Sequence, residues 1–135
     1  MTLKRKDVLA ALPPVWDADL LPQIEARVTT TGVKVVVLDD DPTGTQTVHD
    51  VSVLMDGSVP SLEAAFADPD PVVYILTNTR SMPLTQAQAL NREIARNLER
   101  ASAATGRDFV IVSRSDSTLR GHYPGEIDAL RQVLP

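Results

Sequence analysis

Val33-Lys34-Val35-Val36-Val37-Leu38 runs directly into Asp39-Asp40-Asp41-Pro42-Thr43-Gly44-Thr45-Gln46-Thr47. A short, almost unbroken apolar run rich in β-branched residues is what a strand buried on both faces looks like. The abrupt change to acids, proline and glycine marks a loop at its carboxyl end. Two later segments repeat the pattern. Val72-Val73-Tyr74-Ile75-Leu76 ends in Thr77-Asn78-Thr79-Arg80, and Phe109-Val110-Ile111-Val112 ends in Ser113-Arg114-Ser115-Asp116-Ser117-Thr118-Leu119-Arg120-Gly121. From Asp50 to Met55, Val51 and Val53 alternate with polar neighbours, which predicts a further strand nearer a sheet edge.

Helical periodicity fills the gaps between strands. Ala87, Leu90, Ile94, Leu98 and Ala101 form one stripe, with Gly106 placed to stop the helix. Ser61 to Ala67 and about Pro124 to Val133 are predicted as shorter helices. Before the first strand, Thr2 to Ala11 and Pro22 to Val28 read as helical, separated by Pro13-Pro14, with Leu21, Ile24 and Val28 at helical spacing. Parallel strands need long crossovers, so strands alternating with helices predict an α/β fold: a three-layer, mostly parallel, doubly wound, Rossmann-like sheet with helices on both faces. Residues 1–32 are expected to form an amino-terminal helical extension of the same domain, and 33–135 its α/β body.

Composition narrows the function classes. With 135 residues, 43% hydrophobic and 23% charged, the chain has the make-up of one folded domain and not of a disordered segment. The net charge of −5 leaves no basic stripe for nucleic acid. No apolar run approaches the roughly 20 residues that span a bilayer, and no signal-peptide core precedes Asp19, so a cytoplasmic protein without a membrane partner is expected. Cysteine is absent, which removes disulfides, thiolate metal sites and thiol nucleophiles. A small-molecule role is favoured, with a homo-oligomer as one possible state.

In open parallel sheets ligands bind beyond the carboxyl ends of the strands, so the three polar clusters are expected to meet in one site. The first offers Asp39, Asp40 and Asp41 for hydroxyl groups or Mg²⁺, and Thr43-Gly44 for close backbone approach. Asp41 is the candidate proton acceptor from an attacking hydroxyl. The third places Arg114, Asp116, Ser117, Thr118 and Arg120 together, where arginine can grip a carboxylate through two parallel bonds and the hydroxyls can bind a polyol. Arg80 is the weakest of these candidates on sequence alone. A plainer reading takes the same clusters as capped turns and solvated ion pairs. His49 and His122 lack metal-ligand spacing. Trp16 and Tyr123 are expected to pack and not to bind.

Asp40-Asp41-Pro42-Thr43-Gly44 resembles the Asp-Asp-x-Thr-Gly segment of the four-carbon acid sugar kinase family, also described as the DUF1537 family. Asp116-Ser117-Thr118-Leu119-Arg120-Gly121 matches its Asp-Ser-Thr-Leu-Arg-Gly segment. The resemblance extends from Val33 to Leu134, with His122 where asparagine is common and Arg114 where many members have lysine. It implies a two-domain enzyme whose amino-terminal domain binds the acid and whose carboxy-terminal domain binds ATP. The implied reaction is ATP-dependent phosphorylation of erythronate-, threonate- or 3-oxo-tetronate-like acids at the terminal hydroxyl. It also implies a site lined by Asp40, Asp41, Arg80, Asp116, Ser117 and Arg120. ATP and Mg²⁺ are then expected mainly in the carboxy-terminal domain, since neither G-x-x-x-x-G-K-[ST] nor G-x-G-x-x-G occurs here. The chain stops at Pro135 directly after a helical stretch, and the expectation is an inactive piece of a longer protein whose partner is that missing domain.

Two rivals have their own support. Asp39-x-Asp41-x-Thr43 after a strand, with Ile75-Leu76-Thr77-Asn78, resembles the haloacid dehalogenase superfamily, in which Asp39 would be the nucleophile, Asp41 an acid/base and Mg²⁺ the electrophile. Against it stand Pro42 and the lack of any lysine after Lys34. The other rival is a ligand-binding module without catalysis.

Overall fold

The computed structural model describes residues 4–14, 17–116 and 120–134. In chain order the elements are α1 (Arg5–Ala10), α2 (Leu21–Thr31), β1 (Lys34–Asp39), β2 (Ser52–Leu54), α3 (Val59–Ala67), β3 (Val72–Leu76), α4 (Leu84–Thr105), β4 (Phe109–Arg114) and α5 (Gly125–Arg131), with 3₁₀ turns at Gly44–Thr47 and Thr79–Ser81. The four strands form one sheet in the order β2-β3-β1-β4, and every pairing is parallel. The chain is therefore an α/β protein of the expected class, its central strand the apolar run that ends in the aspartates.

Strand order explains where the layers lie. The β2-to-β3 and β3-to-β4 connections move in the same direction across the sheet, so right-handed crossovers put α3 and α4 on one face. The core of that face gathers Val36 and Leu38 of β1 and Val73 and Ile75 of β3. Leu62 and Phe66 of α3, Ile94 and Leu98 of α4 and Leu130 of α5 pack onto them. The β1-to-β2 connection moves the other way and so runs over the opposite face, and among its residues only a single 3₁₀ turn at Gly44–Thr47 is helical. That crossover is the segment that carries the first polar cluster.

Local chemistry accounts for most boundaries. The α4 stripe buries Ala87, Ile94, Ala95, Leu98 and Ala101, and the helix stops at Gly106, whose φ of 69° is left-handed and whose N–H donates to the Ser102 carbonyl. Lys34, inside the apolar run, buries its stem while Nζ donates to the carbonyls of Asp68 and Asp70 below β3. Burial, and then the Arg107 guanidinium, hold its pKa below the ordinary lysine value.

The helix expected over Pro22 to Val28 is α2, although Leu21 and Ile24 of its stripe remain exposed and neither α1 nor α2 contributes a buried residue. Periodicity shows that a stripe exists, not that a neighbour covers it. Tyr123, expected to pack, is 57% exposed. Trp16 lies outside the described residues.

Candidate functional site

Main-chain pairing draws the ends of β1 and β3 together beyond the sheet. The Asp39 carbonyl accepts from the N–H of Thr77 at 2.8 Å and from its hydroxyl at 2.9 Å. Asn78 then turns through φ 51°, a left-handed conformation that asparagine tolerates better than most residues. The turn carries Thr79–Ser81 back toward β1, where the Arg80 N–H reaches the Asp40 carbonyl at 3.3 Å. A polar strand end is thereby aimed at the aspartates of the neighbouring strand.

The first two clusters meet through Arg80. Its Nη2 lies 2.9 Å and its Nε 3.3 Å from the two carboxylate oxygens of Asp40, the forked geometry that suits guanidinium. Nη1 pairs with Asp41, and Nη2 is 4.0 Å from Asp116. The Asp40 carboxyl, the first and largest cause, keeps the Arg80 guanidinium charged beyond its already high ordinary pKa. Asp41 also accepts from the N–H and hydroxyl of Thr43, both at 2.7 Å. That hydroxyl, then that N–H, and then Arg80 hold the Asp41 carboxyl below the usual carboxylate range.

The last residue of β4 and the two that follow it are held by three carboxylates, one per residue. Arg114 Nη1 donates to Asp39 at 3.1 Å, the Ser115 hydroxyl pairs with Glu126 of α5, and the Asp116 N–H donates to Asp40 at 3.0 Å. Arg120 returns to Asp116 at 2.9 Å. Gly121 closes this loop because a Cβ there would overlap the Asp116 main chain. Gly44, offered by the sequence as a point of close approach, lies against the Asp39 carboxylate and Arg114 Nη1, and a Cβ at this position would overlap both. Steric room, not a special torsion, explains the glycine.

Asp40, Asp41, Thr43, Gly44, Arg80, Arg114, Asp116 and Arg120 are thus one contiguous patch at the carboxyl ends of β1, β3 and β4. Ser117 lies outside the described residues. Shallow pockets open on both sides of Arg80, one lined by Asp40, Asp41, Pro42, Asn78 and Ser81, the other by Arg114, Ser115 and Asp116. His122 is tied to the Met82 carbonyl at 2.7 Å, and His49 pairs with neighbouring Asp50 at the surface.

Asp39 differs from its two neighbours. It is 0% exposed; one oxygen takes the Arg114 bond, and the other has no hydrogen-bond partner among the described residues. A nucleophile needs an open approach for the reacting atom; in this conformation Asp39 has none. Lys34, the last lysine of the chain, is fixed at the opposite end of its strand.

Sequence reasoning missed Glu126 and Asn91. Glu126 is buried, and Asn91 Nδ2 donates to it at 3.3 Å and to the Ala87 carbonyl at 2.9 Å. The available signal was an asparagine one turn beyond Ala87 on the otherwise apolar α4 stripe.

The family model for a sugar-binding N-terminal domain matches residues 35–135. The chain belongs to that family. No curated protein and no solved structure matches it. Among the described residues, no helix is long and apolar enough to cross a membrane.

Proposed function

We propose that this chain, as a member of the sugar-binding N-terminal domain family, binds a four-carbon sugar acid across the carboxyl ends of β1, β3 and β4. It would serve as the substrate-binding domain of an ATP-dependent kinase acting on the terminal hydroxyl of erythronate-, threonate- or 3-oxo-tetronate-type acids. The observation that carries this reading is the bridge made by Arg80. It binds Asp40 and Asp41 and approaches Asp116, so that three strand ends form one polar surface.

Roles within the site follow from which groups are already engaged. The Arg80 fork is filled by Asp40 and Asp41, which makes Arg80 an organiser of the site. Arg114 and Arg120, with 40% and 70% of their side chains exposed, keep guanidinium surface for a substrate carboxylate. Asp41 stays ionised and accepts a hydrogen bond from a substrate hydroxyl, and it is the proposed proton acceptor. ATP and Mg²⁺ belong to a carboxy-terminal domain in this reading. The described residues do not fit an Mg²⁺ site as arranged, because Arg80 occupies Asp40 and Asp41 and no three metal-holding side chains gather.

Thermal unfolding with four-carbon sugar acids, ATP-Mg²⁺ and simple phosphate esters tests the proposal, since a ligand that binds only the folded chain raises the midpoint. A rise with a tetronate, lost in Arg120→Ala, is expected. No rise with any tetronate, together with phosphate released from the esters, would overturn the proposal in favour of a phosphatase.

A further inference from the structure

Arg80, Arg114 and Arg120 share the site but differ in how far each guanidinium is already committed. The side-on edge of a guanidinium, Nε with Nη2, is a fork that holds a carboxylate through two parallel bonds. In Arg80 that edge is filled by Asp40, and Nη1 pairs with Asp41. In Arg120, Nε and Nη2 lie 3.0 and 2.9 Å from one oxygen of Asp116. Arg114 bonds Asp39 through Nη1, and its side-on edge carries no hydrogen bond among the described residues. Arg114 also lines the shallow pocket that it shares with Arg80, Ser115 and Asp116.

The sheet itself fixes Arg114. Asp39 and Arg114 are register partners across the parallel β1–β4 ladder, which puts both side chains on the same face. Asp39 is wholly buried, and its Oδ1 accepts from the Asp41 N–H at 3.3 Å as well as from Arg114. Its Oδ2 has no donor among the described residues. Gly44 packs so closely on the pair that a Cβ there would overlap both Oδ2 and Arg114 Nη1. A buried carboxylate with so few donors depends on the guanidinium for its charge balance. Swinging Arg114 out toward a ligand would leave Asp39 uncompensated, so the ligand must come to the arginine.

We propose that Asp39 is a positioning residue that makes the site select a carboxylate: it pins Arg114 by Nη1 and so presents the Nε and Nη2 fork to the acid group of the ligand. This role rests on the sugar-acid reading of the site. Charge and geometry then predict opposite effects of removing Asp39. A carboxylate 3.1 Å from Arg114 repels an incoming anion, so by Coulomb's law alone its removal tightens binding. An arginine released from its anchor has instead to be ordered at each binding event, which weakens binding. Preorganisation is the larger effect in this proposal, because a two-point bond forms only when the fork already faces its partner.

Titration of the parent chain, Asp39→Ala and Asp39→Asn with a tetronate and with its uncharged amide separates the two effects. Asp39→Ala is expected to lose about tenfold or more in tetronate affinity, the order of one charge-assisted hydrogen bond, while its affinity for the amide stays within about twofold. Asp39→Asn removes the same charge but keeps an oxygen that can accept from Nη1, and is expected to recover at least part of the loss. Unchanged or tighter tetronate binding by Asp39→Ala overturns the proposal. So does an equal loss for both ligands, the mark of a general disturbance of the site, and so does an asparagine variant with no recovery. Arg114→Lys keeps the charge but has no fork, and is expected to lose tetronate affinity to a similar degree. Parent-like tetronate binding by Arg114→Lys overturns the proposal even where the Asp39 variants fail to fold. A parent chain that binds no tetronate overturns the sugar-acid reading itself, and the role of Asp39 with it.

Discussion

Asp40 and Arg80, forty positions apart in sequence, meet in a two-point ion pair at 2.9 and 3.3 Å that joins the ends of β1 and β3. Asp40 is almost fully buried and Arg80 mostly so, which removes the pair from the class of exposed bridges that contribute nearly nothing. Removing the guanidinium leaves a buried carboxylate that, among the described residues, keeps the Asp116 N–H as its hydrogen-bond donor. Arg80→Ala is therefore expected to lower stability by about 3 kcal/mol. Arg80→Lys should recover only part of this, because an ammonium cannot supply the fork. Urea unfolding measures both; a loss below about 1 kcal/mol for alanine would show that the pair behaves as a surface bridge.

Gly44→Ala tests the packing beneath that pair. The added methyl would overlap the Asp39 carboxylate and Arg114 Nη1, so one or both must move. A cost of about 1 to 3 kcal/mol is expected, in the range for overpacked positions. The effect should extend to ligand binding, because Arg114 loses its anchor. Unfolding together with tetronate titration decides the matter: a stable variant with unchanged affinity would mean that Arg114 does not need Asp39 for its placement.

The sheet was legible because its signals are local. Val72 to Leu76 reads as a strand from five consecutive residues, and Gly106 stops α4 where the αL cap requires it. The convergence of the polar clusters was legible too, because parallel strands fix which ends share a side. The internal pairing of the site was not. Arg80, Arg114 and Arg120 look in sequence like cations awaiting a carboxylate, and in the structure each meets an aspartate of the same chain. The partners of Arg80 and Arg114 lie 40 and 75 residues away, beyond the reach of spacing arguments, whereas Arg120 pairs with Asp116 four positions away, as the plainer reading of that cluster allowed. Leu21 and Ile24 show the converse, a helix legible from its spacing whose exposure only tertiary structure reveals.

Thr43 is predicted to control the charge of Asp41. Its hydroxyl is the largest cause of the depressed Asp41 pKa, followed by its N–H, which any residue at this position retains. Thr43→Val should thus raise the Asp41 pKa part of the way toward the ordinary value of about 3.9. The sign for stability follows: a carboxyl depressed in the folded state stabilises fully above its unfolded pKa, and that contribution fades below it and is gone once pH has fallen through the lower folded value. The stability gap between parent and variant should therefore be present at neutral pH and close in acid. Carbon-13 titration of the Asp41 carboxyl checks the shift; an unchanged midpoint would remove Thr43 as its cause.

Glu126 gives the sharpest separation of charge from hydrogen bonding. Its carboxyl is buried between the Ser115 hydroxyl and Asn91 Nδ2, and no ion pair to it occurs among the described residues. Glu126→Ala strands both donors and opens a cavity between α4, α5 and the loop, a loss expected at about 2 to 4 kcal/mol. Glu126→Gln can still accept from Asn91 through its carbonyl oxygen while its amide donates to the Ser115 oxygen, so a loss of about 1 kcal/mol or less is expected. Ser115 lies between Arg114 and Asp116, so tetronate affinity should follow the same order, with Gln near the parent and Ala well below it. Should Gln weaken binding as much as Ala while unfolding like the parent, the negative charge of Glu126, and not its hold on Ser115, is what the site requires.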